Sequence, residues 1–356
     1  MQARARDQVQ QQVIDCDVHN AVPSVEALVP YLPDRWRDYM AESGVTTIEA
    51  NYYPKGAPLS ARPGSVPDGG PAGSDLDLLR EQLLDAWNVR YAILNCLYGV
   101  QLILNEEWAA VMARAMNDWQ VAEWLDRDPR LRASITVSTR DPAAAAREID
   151  RVGDHPGFVQ VLLLARSEHL YGERYYWPVY EAALRHGLPV CIHAGGSAGH
   201  PITPVGWPSY YVEDYVANSQ AFQCQVLSLV TAGAFAQFPG LRVVLAESGV
   251  TWLPSFLWRF DKDWKGIRRE APWVDRRPSE IVQEHVRLTL QPLDHPGQPP
   301  AQLREVLEQL GSDEMLLFAT DYPHWQFDEP DEALPAALPP GWERKVRLEN
   351  AEALYG

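Results

Sequence analysis

The chain has 356 residues, 46% of them apolar, and a formal net charge of −17. That length exceeds the usual single domain but suits an α/β barrel folded as one unit. The acidity excludes a nucleic-acid binder, which needs a basic surface. No run of 18 apolar residues occurs, so no membrane-spanning helix is expected. Residues 1–12 carry two arginines and no apolar stretch, so no secretory signal is expected either. Cys16, Cys96, Cys191 and Cys224 are scattered without a C-x-x-C pair. They read as reduced, mostly buried thiols of a cytoplasmic protein. The 13 Trp and 15 Tyr are unusually many; most are expected in the core and some to line a pocket for an apolar or aromatic ligand.

The first predicted element is the apolar run Val13-Ile14-Asp15-Cys16-Asp17-Val18-His19. In a strand alternate side chains share a face, so Asp17 and His19 point the same way off its end. A helix is predicted over 24–40. Residues 44–74 hold five prolines and too many glycines for regular structure, and a loop of that length is usually functional. Its aromatic tip, Asn51-Tyr52-Tyr53-Pro54, suggests a lid packed over a site. Ser74 is read as the N-cap of a helix over 74–87.

From there strands and helices alternate. Strands are predicted at 91–96, 131–137, 158–164, 188–193, 241–247, 286–290 and 315–319. Helices are predicted at 105–126, 142–152, 174–186, 213–237, 251–268, 301–310 and 341–354. With the opening strand this makes eight strand–helix units across one compositional regime. The strands are continuous apolar runs, as expected of strands covered on both faces. The expected fold is a single-domain (β/α)8, or TIM, barrel over 1–356, with the long insertion after the first strand.

Chemistry in such a barrel sits at the C-terminal ends of the strands. The first strand ends in Asp17 and His19. The fifth ends in His193, the sixth in Glu247, and the eighth in Asp321 with His324 just beyond. Any one of these alone is an ordinary capping acid or core histidine. Together they bring several carboxylates and imidazoles to one mouth, where a divalent cation is the simplest compensation. Arg166, on the inward parity of the fourth strand, is a candidate fork for a substrate carboxylate. Gln291, Tyr98 and Trp207 are further candidates for the substrate pocket. His200 is a weaker loop candidate, and the 252, 256, 260 and 264 aromatic stripe reads as helix core.

The D-x-H of Asp17 and His19, the His-Ala-Gly-Gly from His193, and the Thr-Asp-Tyr-Pro-His spanning Asp321 and His324 resemble the amidohydrolase superfamily. Within it they resemble the amidohydrolase-related group that includes aminocarboxymuconate semialdehyde and resorcylate-type decarboxylases. The resemblance runs from Val13 to about Tyr355. It implies a TIM barrel with one or two divalent ions held by Asp17, His19, His193 and Asp321, and the oxygen-rich ligand set suits manganese or iron as much as zinc. Two departures stand out. Many relatives have a histidine where Asp17 stands, and the sixth strand usually offers a histidine where this chain has Glu247. The fourth strand has no lysine, so a carbamylated-lysine bridge is not expected, and Glu247 is a candidate ligand or bridge.

The expected function is metal-dependent hydrolysis or non-oxidative decarboxylation of a small, carboxylated, cyclic or aromatic metabolite. Glu247, Asp321 and His324 are the candidate acid–base groups. The runner-up is a non-haem (di)iron monooxygenase on the same scaffold. A non-catalytic binding protein ranks third. No nucleic acid or membrane partner is expected, and a homodimer is compatible with the sequence.

Overall fold

The computed structural model describes residues 12–46, 48, 61–62, 64–195, 202–203, 205–294, 300–324, 334 and 338–356. The tip at 51–54, His200 and His295 lie outside them. Eight parallel strands stand in sequence order: β1 (Val13–Val18), β2 (Val89–Leu94), β3 (Leu131–Thr136), β4 (Phe158–Leu164), β5 (Val190–His193), β6 (Val243–Ala246), β7 (Val286–Thr289) and β8 (Leu316–Leu317). The sheet closes between its first and last strands. Cys16 N donates to Phe318 O, His19 N to Tyr322 O, and Asp321 N to Asp17 O. This is the expected TIM barrel.

Two apolar layers hold it. A small inner cluster of Ile14, Cys16, Ile93, Leu162, Cys191, Val244, Ala246 and Leu317 fills the barrel. A far larger one packs the outer strand faces against the helices. Cys16, Cys96 and Cys191 are buried and Cys224 is exposed; all four are free thiols. No helix of the described residues is long and apolar enough to cross a membrane.

Several element boundaries differ from the sequence expectation, each for a local reason. The helix expected over 24–40 is a 3₁₀ turn, Val25–Tyr31, and a separate helix, Asp34–Ser43. Pro30 and Pro33 lack the N–H groups a continuous helix needs. The helix after the insertion is capped by Asp75, whose carboxylate accepts from Leu78 N, and not by Ser74. The helix expected over 213–237 is three pieces, Tyr211–Val216, Asn218–Thr231 and Ala234–Gln237, the last break falling at Gly233 with φ of 81°. A helix at Pro278–His285 was not foreseen. Its two apolar residues, Ile281 and Val282, are too few to show a period, and Asp261 holds its first turn by accepting from Ser279 N and Oγ. β8 is shorter than expected because Phe318 N donates to Val346 O instead of to a strand.

β1 carries the feature that builds the site. Asp15 pairs with Ala92 but Val18 pairs with Leu94, so β1 holds one extra residue there, a β-bulge. Ile14 and Cys16 face the barrel interior below the bulge, and Asp17 and His19 face it above. Asp15 instead turns outward to Thr320, whose N and Oγ1 donate to it at 3.1 and 2.6 Å. Burial pushes the Asp15 carboxyl up to about 7, against the hydrogen bonds from Thr320.

Candidate metal centre

Six titratable side chains from the ends of β1, β5, β6 and β8 meet inside the barrel mouth. Asp17, His19, His193 and Glu247 form one group with ligand atoms all within 4.8 Å of one another. His19, Glu247, Asp321 and His324 form a second, within the same limit. The foursome implied by resemblance, Asp17, His19, His193 and Asp321, is thus divided between two overlapping groups that share His19 and Glu247.

Backbone strain aims two of the acids. Glu247 and Asp321 have φ of 56° and 61°, a left-handed conformation uncommon for side chains of this kind. Each follows an apolar strand and turns its carboxylate back over the mouth. Glu247 Oε1 lies 3.2 Å from His19 Nε2, 3.4 Å from His193 Nε2 and 3.3 Å from His324 Nδ1. Asp321 Oδ1 lies 3.1 Å from His19 Nε2 and 2.6 Å from His324 Nδ1.

The tautomers follow from the acceptors. His19 Nδ1 lies 2.9 Å from Asn95 O and His193 Nδ1 lies 2.8 Å from Ala194 O. A carbonyl only accepts, so both Nδ1 atoms carry the proton, and both Nε2 atoms are available to bind a cation when the rings are neutral. Asp17 Oδ2, His193 Nε2, Glu247 Oε1 and Asp321 Oδ2 are buried without a hydrogen-bond partner. Asp17 Oδ2 and Asp321 Oδ2 face no partner, and leaving them so is costly unless something binds them; a divalent cation fits this mixed oxygen and imidazole set.

The charges are mutually dependent. Burial opposes ionisation of Glu247, yet His193, His19 and His324 hold its carboxyl well below the usual range. Burial also opposes ionisation of Asp17, which His193 and His19 nevertheless lower. Asp321 goes the other way, raised by burial and by the nearby Glu247 charge. Burial works against a charge on His193 and His324, but the surrounding carboxylates lift both well above the ordinary histidine value.

The other candidates fare differently. Arg166 does not offer a free fork: its two terminal nitrogens bind Asp214 at 3.0 and 2.7 Å. Gln291 is buried, and its Oε1 accepts from Leu293 N, closing the turn after β7. Tyr98 is part of the outer core. Trp207 is 54% exposed on the loop after β5. In the aromatic stripe, Phe260 is buried while Trp252, Phe256 and Trp264 are partly buried against the core. Sequence reading missed Asn95, which donates to Asp17 Oδ1 at 2.7 Å, and Gln160 and Ser134 behind it. A glutamine inside the apolar run Phe158–Leu164 was the available signal.

The chain belongs to the amidohydrolase family, whose model matches residues 14–356. It is an enzyme of that superfamily. It is 28% identical over 296 residues to the gamma-resorcylate decarboxylase of Rhodococcus jostii (strain RHA1), covering 79% of this chain and 88% of that one. Among solved structures, it is similar to 5-carboxyvanillate decarboxylase from Sphingomonas paucimobilis, at TM-score 0.70 and 23% identity, over 97% of this chain and 98% of that one. It is also similar to a dihydroxybenzoic acid decarboxylase from Polaromonas sp. JS666, solved with manganese and 2-nitroresorcinol. There the TM-score is 0.67 and the identity 21%, over 97% of each chain.

Proposed function

We propose that this enzyme is a divalent-metal-dependent, non-oxidative decarboxylase of a small hydroxylated aromatic carboxylate. The observation that carries the reading is the convergence of four buried ligand atoms that make no hydrogen bond at the mouth of an amidohydrolase barrel. Asp17, His19, His193, Glu247 and Asp321 would hold the ion, and the manganese of the Polaromonas relative makes manganese the first choice. Bound there, the ion would supply Lewis acidity toward substrate oxygens.

The chain's own residues supply the proton. Decarboxylation puts a proton on the ring carbon that bears the carboxylate; the C–C bond then breaks, its electron pair returns to the ring, and CO2 leaves. The proton held between His324 Nδ1 and Asp321 Oδ1 is placed for this. The His324 side chain is 30% exposed, which gives it a path for reprotonation from water. With Arg166 committed to Asp214, substrate carboxylate recognition falls to the centre itself.

Residues 44–74 are proposed as a lid. Its described end lies against the mouth: Arg62 N donates to Pro323 O at 2.8 Å, and Ala21 N to Gly73 O at 2.9 Å. Reduced thiols in the chain suit a cytoplasmic setting. Decarboxylation is favoured over oxygenation because the curated relative is a decarboxylase. The test is CO2 release from a panel of hydroxybenzoates, including 2,6-dihydroxybenzoate and 5-carboxyvanillate, beside a panel of esters, amides and lactones. Release that stops on chelation and returns with manganese is expected. Turnover confined to the ester, amide or lactone panel would replace decarboxylation with hydrolysis, and metal-independent turnover would overturn the centre.

A further inference from the structure

A chain of hydrogen bonds crosses the barrel beneath the centre. Tyr355 OH donates to Gln160 Oε1 at 2.8 Å. Gln160 Nε2 donates to Ser134 Oγ at 2.9 Å and to Asn95 Oδ1 at 3.2 Å. Ser134 Oγ donates to Asn95 Oδ1 at 2.5 Å, and Asn95 Nδ2 donates to Asp17 Oδ1 at 2.7 Å. Asn95, Ser134, Gln160 and Asp17 are fully buried. The helix Asn350–Tyr355 lies at the opposite, N-terminal end of the strands, where Glu352 pairs with Arg90 at the start of β2.

The sense of the chain is not arbitrary. An ionised Asp17 can only accept, so the Asn95 amide must turn its N–H toward it. That leaves Asn95 Oδ1 as an acceptor, which Ser134 and Gln160 both fill. Gln160 therefore presents its carbonyl to Tyr355. Every donor points at the centre, and reversing any one amide would set two acceptors or two donors face to face. Separately from this side-chain chain, the backbone carbonyl of Asn95 receives the His19 Nδ1 proton.

We propose that Tyr355, Gln160, Ser134 and Asn95 form a one-way positioning chain that fixes Asp17 for the metal, so that metal affinity is set in part from the far pole of the barrel. None of the four is a catalytic residue; each acts through Asp17. The inference rests on the metal-centre reading above. A plain polar filling of the core would affect stability alone. A positioning chain changes metal affinity as well, because partners behind a ligand tune its orientation and basicity.

The experiment measures manganese affinity by competition with a chelator, and the melting of the metal-free protein, for wild type, Tyr355→Phe, Gln160→Met and the double variant. Gln160→Met should weaken manganese binding roughly 10–100-fold. Tyr355→Phe removes one hydroxyl remote from the centre and should weaken it by about threefold or more. The double variant should bind no more weakly than Gln160→Met alone, because both changes interrupt one chain. Metal-free melting lowered with manganese affinity unchanged, or fully additive losses, would overturn the positioning role. Wild-type protein that takes up no manganese would overturn the centre itself, and this inference with it.

Discussion

Glu247 stands where the two ligand groups overlap, within 3.4 Å of three imidazoles. On the proposed function, a carboxylate in that position would serve as a ligand or bridge more than as a free base. Glu247→Gln preserves the shape and removes the charge. It should lower metal affinity by roughly tenfold or more, measured as metal retained after dialysis, with activity partly restored by excess metal. Full metal with full activity would remove Glu247 from the mechanism. His324 contributes differently. It belongs only to the second group and contacts Asp321 at 2.6 Å. His324→Gln should leave bound metal unchanged and cut turnover by roughly 10²–10⁴-fold, read from CO2 release at saturating substrate.

At the scale of elements, the insertion between β1 and β2 is tied to the mouth by its last residues. Gly73 has φ of 81°, and a Cβ there would collide with the His19 carbonyl oxygen. Gly73→Ala should therefore lift this end of the segment from the end of β1. The expected result is a loss of roughly 1–3 kcal/mol in denaturant unfolding, with a drop in turnover. Unchanged stability and activity would show that the anchor does not matter. On the opposite face, Asp128 ties the helix ending at Asp85 to β3. Burial opposes its charge, but Arg130 and Arg80 hold its carboxyl down at about 2. A depressed folded value means the stabilisation is complete above the unfolded value near 4 and lost as pH falls through about 2. After allowance for screening it amounts to roughly 1–2 kcal/mol. Asp128→Asn should cost that much at pH 7, and the gap to wild type should close as acid unfolding is followed from pH 4 to pH 2.

For the whole molecule, the centre joins strands from opposite sides of the barrel. Asp17 and His19 come from its first strand, His193 and Glu247 from the fifth and sixth, and Asp321 from the turn after its last. A ligand bound to all of them binds only the closed barrel, so it stabilises the fold by mass action. Manganese at about 100 times its dissociation constant should add about 2.7 kcal/mol. In a protein of this size that corresponds to a rise of several degrees in melting temperature, reversed by chelation. A melting temperature indifferent to manganese and chelator would contradict a centre spanning the barrel.

The strand count, the parallel barrel and the polar strand ends were legible in the sequence because they are local. An apolar run of four to seven residues followed by an acid or histidine marks a covered strand and its mouth end without reference to anything distant. His19, His193, Glu247, Asp321 and His324 were found in that way. Helix ends were less legible, since Pro30, Pro33 and Gly233 divide segments whose apolar pattern continues through them. What the linear pattern could not contain was the bulge in β1. Simple alternation places Asp15, Asp17 and His19 on one face, and only pairing with β2 and β8 turns Asp15 outward to Thr320. The engagement of Arg166 by Asp214, 48 residues on, depends on how the loop after β5 returns. The same holds for the path from Tyr355 to Asp17. Its links join residues up to 195 positions apart, and closure of the barrel is what brings them within hydrogen-bonding distance.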